Sequence, residues 1–137
     1  MPHPRPAERL MQIGEAADRV GLSIRTIRHY EEAGLIVPSA RSDGGFRLYT
    51  EADLGRLAVV KRMKPLGFTL DEMRDLLGVL DALPGADGGD RAALLDRLGM
   101  FHTVAAARVA ALREQLAIAE GFADTLRERI DGYAVPR

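Results

Sequence analysis

The sequence contains no cysteine and no tryptophan, and aromatic residues make up only 5% of its 137 residues. The absence of cysteine excludes disulfide bonds, thiolate nucleophiles, iron–sulfur ligation and metal sensing through thiolates. No apolar run approaches the length of a membrane-spanning helix, and the opening MPHPRPAERL lacks the apolar centre of a secretory signal. With hydrophobic residues at 47% and charged residues at 28%, these absences favour a cytoplasmic globular protein.

The net charge of −1 conceals an uneven distribution of charge along the chain. Residues 1–64 hold 11 Lys or Arg against 8 Asp or Glu, whereas residues 65–137 hold 8 against 12. A basic first half and an acidic second half predict that only the first half meets a polyanion. Chance variation in surface charge explains this feature equally well when the feature is taken alone.

Two short helices joined by a glycine turn are predicted after a loose, proline-rich tail at residues 1–11. Gly21 ends the first helix, and Ser23 is a good N-cap for the second. The second helix is expected to end near Ala33, with Gly34 after it. The spacing is that of a helix-turn-helix. The first helix has one apolar face, formed by Ile13, Ala16, Ala17 and Val20.

The second predicted helix carries its cations near its start and its acids, Glu31 and Glu32, further on. The helix macrodipole disfavours cations at the start of a helix, so a negatively charged partner outside the helix would explain this order. The acids are expected to lie away from the end that meets such a partner. This segment offers three residues to the core, Ile24, Ile27 and Leu35.

DNA-reading helices use side chains near their N-terminus to contact base edges and phosphates. In the second helix these side chains are Arg25, Thr26, Arg28 and His29. Arg25 and Arg28 are three residues apart and share a face. Tyr30 has two equal alternatives, a phosphate contact through its hydroxyl or packing of its ring under the adjacent hairpin. A solvated helix face is the alternative for the arginines, and it loses weight once further basic elements are counted.

A short β-hairpin is predicted next, because SDGG is a turn signal and the following FRLY alternates like a strand. Pro38 excludes a central strand at its own position. Arg41 and Arg47 flank the glycine tip. A hairpin of this kind beside a helix-turn-helix is a wing.

Two further helices are predicted, each opened by a capping box. The first box is formed by Thr50 and Asp53, and the second by Thr69 and Glu72. The first helix ends at Pro65 and Gly67, after the basic residues Lys61, Arg62 and Lys64. Its apolar side is formed by Leu54, Leu57, Ala58 and Met63, and that of the second helix by Met73, Leu76, Leu77 and Leu80.

The segment DALPGADGGD, residues 81–90, is predicted to be a linker because its proline, glycines and aspartates disfavour a helix. Residues 91–131 then repeat apolar residues at alternating steps of three and four, and only His102 breaks the pattern. This repeat predicts a coiled-coil dimerisation helix, followed by a tail at residues 132–137. A single long helix packed on its own head is the less favoured alternative. The seam residues are Leu95, Leu98, Ala105, Val109, Leu112, Leu116, Ala119, Ala123, Leu126 and Ile130.

Residues 12–80 resemble the DNA-binding head of the MerR family of bacterial transcription regulators. The matching text is IGEAADRVGLSIRTIRHYEEAGLI, then RSDGGFRLYTEADLGRL, then KRMKPLGFTLDEMRDLL. The resemblance implies a mainly α fold, in which a winged helix-turn-helix head with a small β-hairpin wing precedes a long antiparallel coiled-coil helix. It also implies a homodimer that binds a near-palindromic promoter operator. Such a dimer bends and untwists the DNA so that RNA polymerase can engage the promoter.

The resemblance implies three groups of DNA-contacting residues. The recognition helix would present Arg25, Thr26, Arg28, His29 and Tyr30 to the major groove. The wing would be formed or braced on the DNA backbone by Arg41, Gly45, Arg47 and Tyr49. A second wing, made by the following helix pair, would touch phosphates through Lys61 and Arg62. Two positions depart from the family pattern: His29 stands where Tyr or Phe is common, and Pro65 implies that its helix ends earlier or bends.

The signal that such a regulator senses cannot be held by thiolates, so the expected effector is a small organic molecule or another ligand that needs no thiolate. An apolar pocket is predicted from Met100, Phe101, His102 and Phe122, although simple packing explains such residues as well. His102 is more readily explained as a polar residue that sets helix register than as a metal or pH site with Asp87 and Asp90. We expect neither a cofactor nor a metal.

Two other classes of protein compete with a regulator. A coiled-coil interaction module would use its tail to recruit a partner, and its head would be architectural or independent of any effector. An enzyme is disfavoured, because the sequence shows no nucleophile–base pairing, metal-spacing motif or phosphate loop.

Overall fold

A computed structural model describes residues 9–134 and confirms the mainly helical fold with a small sheet and a long helix after the head. Its elements are β1 (Met11–Gln12), α1 (Ile13–Val20), α2 (Ile24–Glu32), β2 (Ala40–Arg41), β3 (Arg47–Tyr49), α3 (Glu51–Met63), α4 (Leu70–Ala82) and α5 (Gly88–Ala134). Short 3-10 turns at Lys64–Leu66 and Leu83–Gly85 follow α3 and α4. The chain divides into two compact units between Leu95 and Asp96, within α5.

The helix-turn-helix forms as predicted, because each boundary carries its own local signal. Gly21 ends α1 with φ of 72°, a left-handed conformation that suits glycine. Ser23 caps α2, and Gly34 follows it with φ of 78°. α1 packs against both α2 and α3. The core of the first unit contains Met11, Ala16, Ala17, Ile27, Tyr30, Leu35, Ile36, Tyr49, Leu54, Leu57, Val60, Met63, Phe68, Met73, Leu77 and Val79.

One of the three core residues predicted around α2 is wrongly assigned. Ile27 and Leu35 are fully buried, but Ile24 is 39% exposed. Ile24 is the first residue of α2, and the cover that buries the next turn at Ile27 does not extend to it.

The sheet has one strand more than the predicted hairpin. β2 and β3 pair antiparallel as expected, and β1 pairs with the other edge of β3, where Met11 lies opposite Tyr49. Met11 is a buried strand residue, so its assignment to a loose tail is wrong. Proline-rich composition describes only the local chain, whereas this strand depends on a partner far along the sequence. Residues 1–8 of the predicted tail, and residues 135–137 of the tail predicted at the other end, lie outside the described residues.

Both predicted capping boxes are present at the starts of α3 and α4. The predicted apolar side of α3 needs one correction, because Ala58 is exposed and Val60 is buried in its place. Pro65 lies in the 3-10 turn directly after α3, where a missing backbone N–H is tolerated. Gly67 then reverses the chain with φ of 80°.

The irregular segment between α4 and α5 is shorter than the predicted linker at residues 81–90. α4 continues to Ala82 and α5 begins at Gly88, so helix also extends beyond the predicted bounds of 91–131. The glycines at 88 and 89 occupy the first turn, where helix ends tolerate glycine better than helix interiors do. No side chain of α5 is buried within the described residues. The division of the chain at this linker stays a prediction.

No helix among residues 9–134 has both the length and the apolar character needed to cross a membrane.

The two capping boxes are predicted to differ in their contribution to stability. The carboxylate of Asp53 accepts the buried N–H of Thr50 at 2.9 Å and the hydroxyl of Ser39 at 2.6 Å. Asp53→Ala leaves a buried donor without a partner and should lower the free energy of unfolding by about 1–3 kcal/mol. Glu72→Ala, the matched change in the exposed box of α4, should cost about 0.5–1 kcal/mol.

Urea unfolding followed by circular dichroism at one fixed protein concentration measures both values. A larger loss for Glu72→Ala than for Asp53→Ala would contradict the ranking.

Candidate nucleic-acid interface

The cap at the start of α2 fixes the geometry of the predicted DNA-reading turn. The backbone N–H of Thr26 donates to the hydroxyl of Ser23 at 3.0 Å, and the two hydroxyl oxygens lie 2.8 Å apart. This cap satisfies a donor that the start of a helix otherwise leaves free. Arg25 and Arg28 are exposed, and neither forms an ion pair within residues 9–134. The turn therefore presents two guanidinium groups from a rigid backbone.

The two rings that follow have different environments. His29 is exposed, and its ring centroid lies 5.8 Å from that of Tyr30 with the ring planes tilted by 45°. Tyr30 is buried, and its hydroxyl has no hydrogen-bond partner among the described residues. Burial raises the pKa of Tyr30. The burial of its ring favours the packed alternative, and packing under the wing stays a prediction. Tyr49 is likewise fully buried, and its role in bracing the wing stays a prediction.

The wing tip is closed by a compact set of hydrogen bonds. The backbone N–H groups of Ser42 and Gly45 donate to the carbonyls of Phe46 and Ser42, each at 2.8 Å. Gly45 has φ of 80°, which requires a glycine at this position of the turn. The Arg41 guanidinium donates to the Gly45 carbonyl at 3.0 Å. Arg41 therefore stiffens the tip while its side chain stays on the surface.

The second wing arginine is paired with an acid on α2. Arg47 Nε lies 2.8 Å from Glu31 Oε2, and the side chain of Glu31 is only 7% exposed. Burial raises the pKa of Glu31, although the charges of Arg47, Arg41 and Arg28 act in the opposite direction. Glu31 therefore contacts the wing, and its expected position away from the end that meets DNA stays a prediction. The only sequence signal that could have identified this contact is an acid within an otherwise basic segment.

The far end of α2 is held by arginines from the following helix pair. Arg74 of α4 donates to the carbonyl of Ala33, and Arg56 of α3 donates to the carbonyl of Leu35 at 3.0 Å. Ala33 is the C-cap of α2, where a carbonyl needs a partner of this kind, and Leu35 lies in the loop that follows. Arg56 also pairs with Asp81, and Arg74 pairs with Asp71. Both arginines thus fix α2 in place.

The two residues predicted to contact phosphates from the second wing also differ. Lys61 Nζ donates to the carbonyl of Val20 at 2.8 Å, at the C-terminus of α1, where the helix dipole favours a cation. A Cβ at Gly21 would lie 2.7 Å from that Nζ, so a larger residue there would displace the end of the Lys61 side chain. Arg62 is exposed. The two cations border a groove between α1 and α3 that is lined by Arg19, Val20, Glu51, Leu54, Gly55, Ala58, Lys61 and Arg62.

The predicted seam of α5 is a strip of apolar side chains without cover. The members Leu95, Leu112, Leu116, Leu126 and Ile130 are exposed, and so are the seam alanines Ala119 and Ala123. Leu98, Ala105 and Val109 are half-buried. The use of this strip as a dimer interface stays a prediction.

The predicted effector residues do not form one pocket within a single chain. Met100 and Phe122 are 68% and 65% exposed, and their separation along the helix corresponds to about 33 Å at ~1.5 Å per residue. Phe101 is half-buried and His102 is exposed. Among residues 9–134 no three His, Asp or Glu side chains form a group that could hold a metal ion.

Comparisons with known proteins identify the family of the chain. A family model described as "MerR HTH family regulatory protein" matches residues 11–79, and another described as "MerR, DNA binding" matches residues 54–129. The mercuric resistance operon regulatory protein of Bacillus cereus is 49% identical over 70 residues, which cover 51% of this chain and 53% of the relative. The HTH-type transcriptional activator TipA of Streptomyces coelicolor is 42% identical over 96 residues, which cover 69% of this chain and 38% of the relative. The chain thus spans about half or less of these relatives' lengths.

A solved structure shares the fold over most of the chain. It is the crystal structure of HiNmlR, a MerR family regulator lacking the sensor domain, bound to promoter DNA. The match has a TM-score of 0.69 and 24% sequence identity, and it covers 91% of this chain and 86% of the other. At this identity the likeness supports the fold alone.

Two acids of the head are predicted to change the pH dependence of stability in opposite directions. The pKa of Glu31 is raised above its ordinary value of 4.5, so its contribution to stability is present in acid and is lost as the pH rises through the folded-state pKa. The pKa of Glu51 is lowered, chiefly by the hydrogen bond from Arg19, so its contribution is present above pH 4.5 and is lost in acid. Relative to wild type, Glu31→Gln should gain stability with rising pH, and Glu51→Gln should lose it.

Urea unfolding between about pH 3 and pH 8 measures the two slopes. The charged groups that act on Glu31 are Arg47, Arg41, Arg28 and Glu32. Slopes of the same sign for the two variants would refute the assignment of these carboxylates.

Proposed function

The chain belongs to the MerR family of helix-turn-helix regulatory proteins, and we propose that it regulates transcription by binding promoter DNA. The observation that carries the proposal is the exposed pair Arg25 and Arg28 at the capped start of α2, beside a wing that holds Arg41 and Arg47. A single basic helix face is common on protein surfaces. A rigid basic helix with a basic hairpin beside it is the combination that DNA recognition requires.

The geometry supports major-groove recognition by α2. A helix fits the major groove, where arginine can donate two hydrogen bonds to guanine or hold a phosphate. Thr26 and the exposed His29 lie beside the arginines and offer further hydrogen-bonding groups. At the wing, Arg41 and Gly45 would contact the DNA backbone. Arg62 would contact phosphates from α3, and Lys61 would do so through the N–H groups that do not bind the carbonyl of Val20. Tyr30 and Tyr49 would support this surface from below.

The exposed seam of α5 supports a homodimer. A second copy of the chain would cover the leucines and isoleucine of the seam, and burying each such side chain contributes about 1.5–3 kcal/mol. An antiparallel pair of helices would place two heads on one DNA. The two heads would then contact two half-sites of a near-palindrome.

Regulation would follow from deformation of the bound DNA. Backbone contacts by two wings and two recognition helices can supply the energy that bends and untwists a duplex. The deformed promoter would then allow RNA polymerase to engage both of its elements. This mode of action takes place at the bacterial chromosome, in the cytoplasm, and needs neither a cofactor nor an enzymatic reaction.

A dimer would also bring the predicted effector residues together. Pairing of two helices about the middle of residues 91–131 brings Met100 and Phe101 of one chain level with the partner subunit's Phe122. Together with His102, these side chains would then border an apolar site for a small organic effector. A site formed in this way would link effector binding to the geometry of the dimer.

A coiled-coil interaction module is the second candidate. Ile118 favours it, because this residue is exposed and apolar and lies outside the predicted seam. The two functions differ in one measurable property. Only the regulator requires sequence-specific, salt-sensitive binding to DNA.

Arg25→Ala is predicted to weaken binding to a duplex that the wild-type protein selects from a randomised pool. The loss of a base or phosphate contact should reduce affinity by about 10- to 100-fold. Fluorescence anisotropy at fixed salt, with a scrambled duplex for comparison, measures the effect. Arg97→Ala removes the same charge from α5 and is the control. Equal losses for the two variants, or no preference of wild type for the selected duplex, would contradict the proposed surface.

The double substitution Leu112→Asp with Leu116→Asp is predicted to produce monomers, because the seam would bury unpaired carboxylates. The matched control, Ala110→Asp with Ala117→Asp, adds the same charges outside the seam and should leave a dimer. Light scattering coupled to size-exclusion chromatography distinguishes the two states. A seam variant that stays dimeric would refute the seam.

A further inference from the structure

Glu31 is an acid at the centre of a basic surface. Its side chain is almost fully buried, and its carboxylate meets Arg47 of β3 at 2.8 Å. Three arginines act on its charge: Arg28 from α2, Arg41 from β2 and Arg47 from β3. The recognition helix and both wing strands therefore share one counter-ion.

The wing needs such a counter-ion because of its own register. Arg41 and Arg47 are directly opposite each other in the β2–β3 ladder. Like charges in opposite positions of an antiparallel pair repel and destabilise the hairpin. A carboxylate on the neighbouring helix offsets that repulsion without removing either cation from the surface.

The position of Glu31 also has a cost for the stability of the fold. Its second oxygen, Oε1, is buried and has no hydrogen-bond partner among the described residues. Burial of a carboxylate with an unfilled acceptor costs free energy. The side chain of Arg47, by contrast, stays 41% exposed while its Nε faces Glu31. The ion pair thus orients an arginine that still reaches the surface.

We infer that Glu31 is a positioning residue for DNA binding: it ties the wing to α2 through Arg47, so that the arginines of both elements meet the DNA as one rigid surface. The inference rests on the proposed function. Glu31 touches no DNA in this role, and its effect passes through Arg47.

The positioning role and simple charge repulsion predict opposite effects of Glu31→Gln on the affinity for DNA. Removal of a negative charge near bound DNA should tighten binding if that charge only repels phosphates. Under the positioning role, Glu31→Gln should instead weaken binding to the selected duplex by about tenfold, the scale of one well-made charged contact. Glu32→Gln is the matched control, since Glu32 is the adjacent, exposed acid. It should leave binding unchanged or slightly tighter.

The dependence on Arg47 is tested in a double-mutant cycle. In an Arg47→Ala background, Glu31→Gln should no longer weaken binding, because the orienting contact is already lost. Arg47→Lys keeps the charge but removes the Nε–H group, and it should weaken binding about as much as Glu31→Gln does. Arg47→Lys also decides the question if Glu31→Gln fails to fold, as judged by its urea midpoint.

The outcomes separate the inference from the proposed function. Wild-type protein that selects no duplex from the pool overturns both. Wild-type protein that binds while Glu31→Gln binds equally or more tightly overturns the positioning role alone. Two further results would also overturn the positioning role. One is that Glu31→Gln weakens DNA binding equally in the Arg47→Ala background. The other is that the Arg47→Lys variant binds like wild type.

Discussion

The anchoring of α2 is the constraint on which the proposed DNA-facing surface depends. One face of this nine-residue helix is buried through Ile27 and Tyr30, so Arg28 and His29, which lie between them, point outward. The Ser23 cap holds its start, and Arg74 binds a carbonyl at its end. A helix this short has little stability of its own. Its rigidity comes from these contacts, and the proposed recognition role of its arginines requires a rigid helix.

The basic residues of the head serve two different purposes. Arg56, Arg74 and Lys61 donate to main-chain carbonyls at the ends of helices or in the loop after α2. Arg25 and Arg28 are exposed and form no such contact within the described residues. The charge count of the first half therefore overstates the number of cations that face a partner. The proposed surface is defined by where the cations lie rather than by how many there are.

Several features of the fold and of the site could be predicted from the sequence because their signals are local. Gly21, Ser23 and the two capping boxes act on backbone groups within four residues of themselves. The same holds for the glycine tip of the wing. Composition was a weaker guide. It did not predict strand β1. It also predicted too long a linker before α5, because glycine at the first turn of a helix costs little free energy.

The sequence by itself determined the helices, their caps, the hairpin and the order of charge along α2, and through its motifs it identified the family. Only the tertiary structure decided which charged groups meet. The partner of Glu31 is Arg47 of the wing, the partner of Lys61 is the end of α1, and Ile24 lies outside the core that buries Ile27. These contacts join residues 16 to 41 positions apart. Periodicity and capping act over a turn or two of helix, so contacts across such separations are set only when the elements pack together.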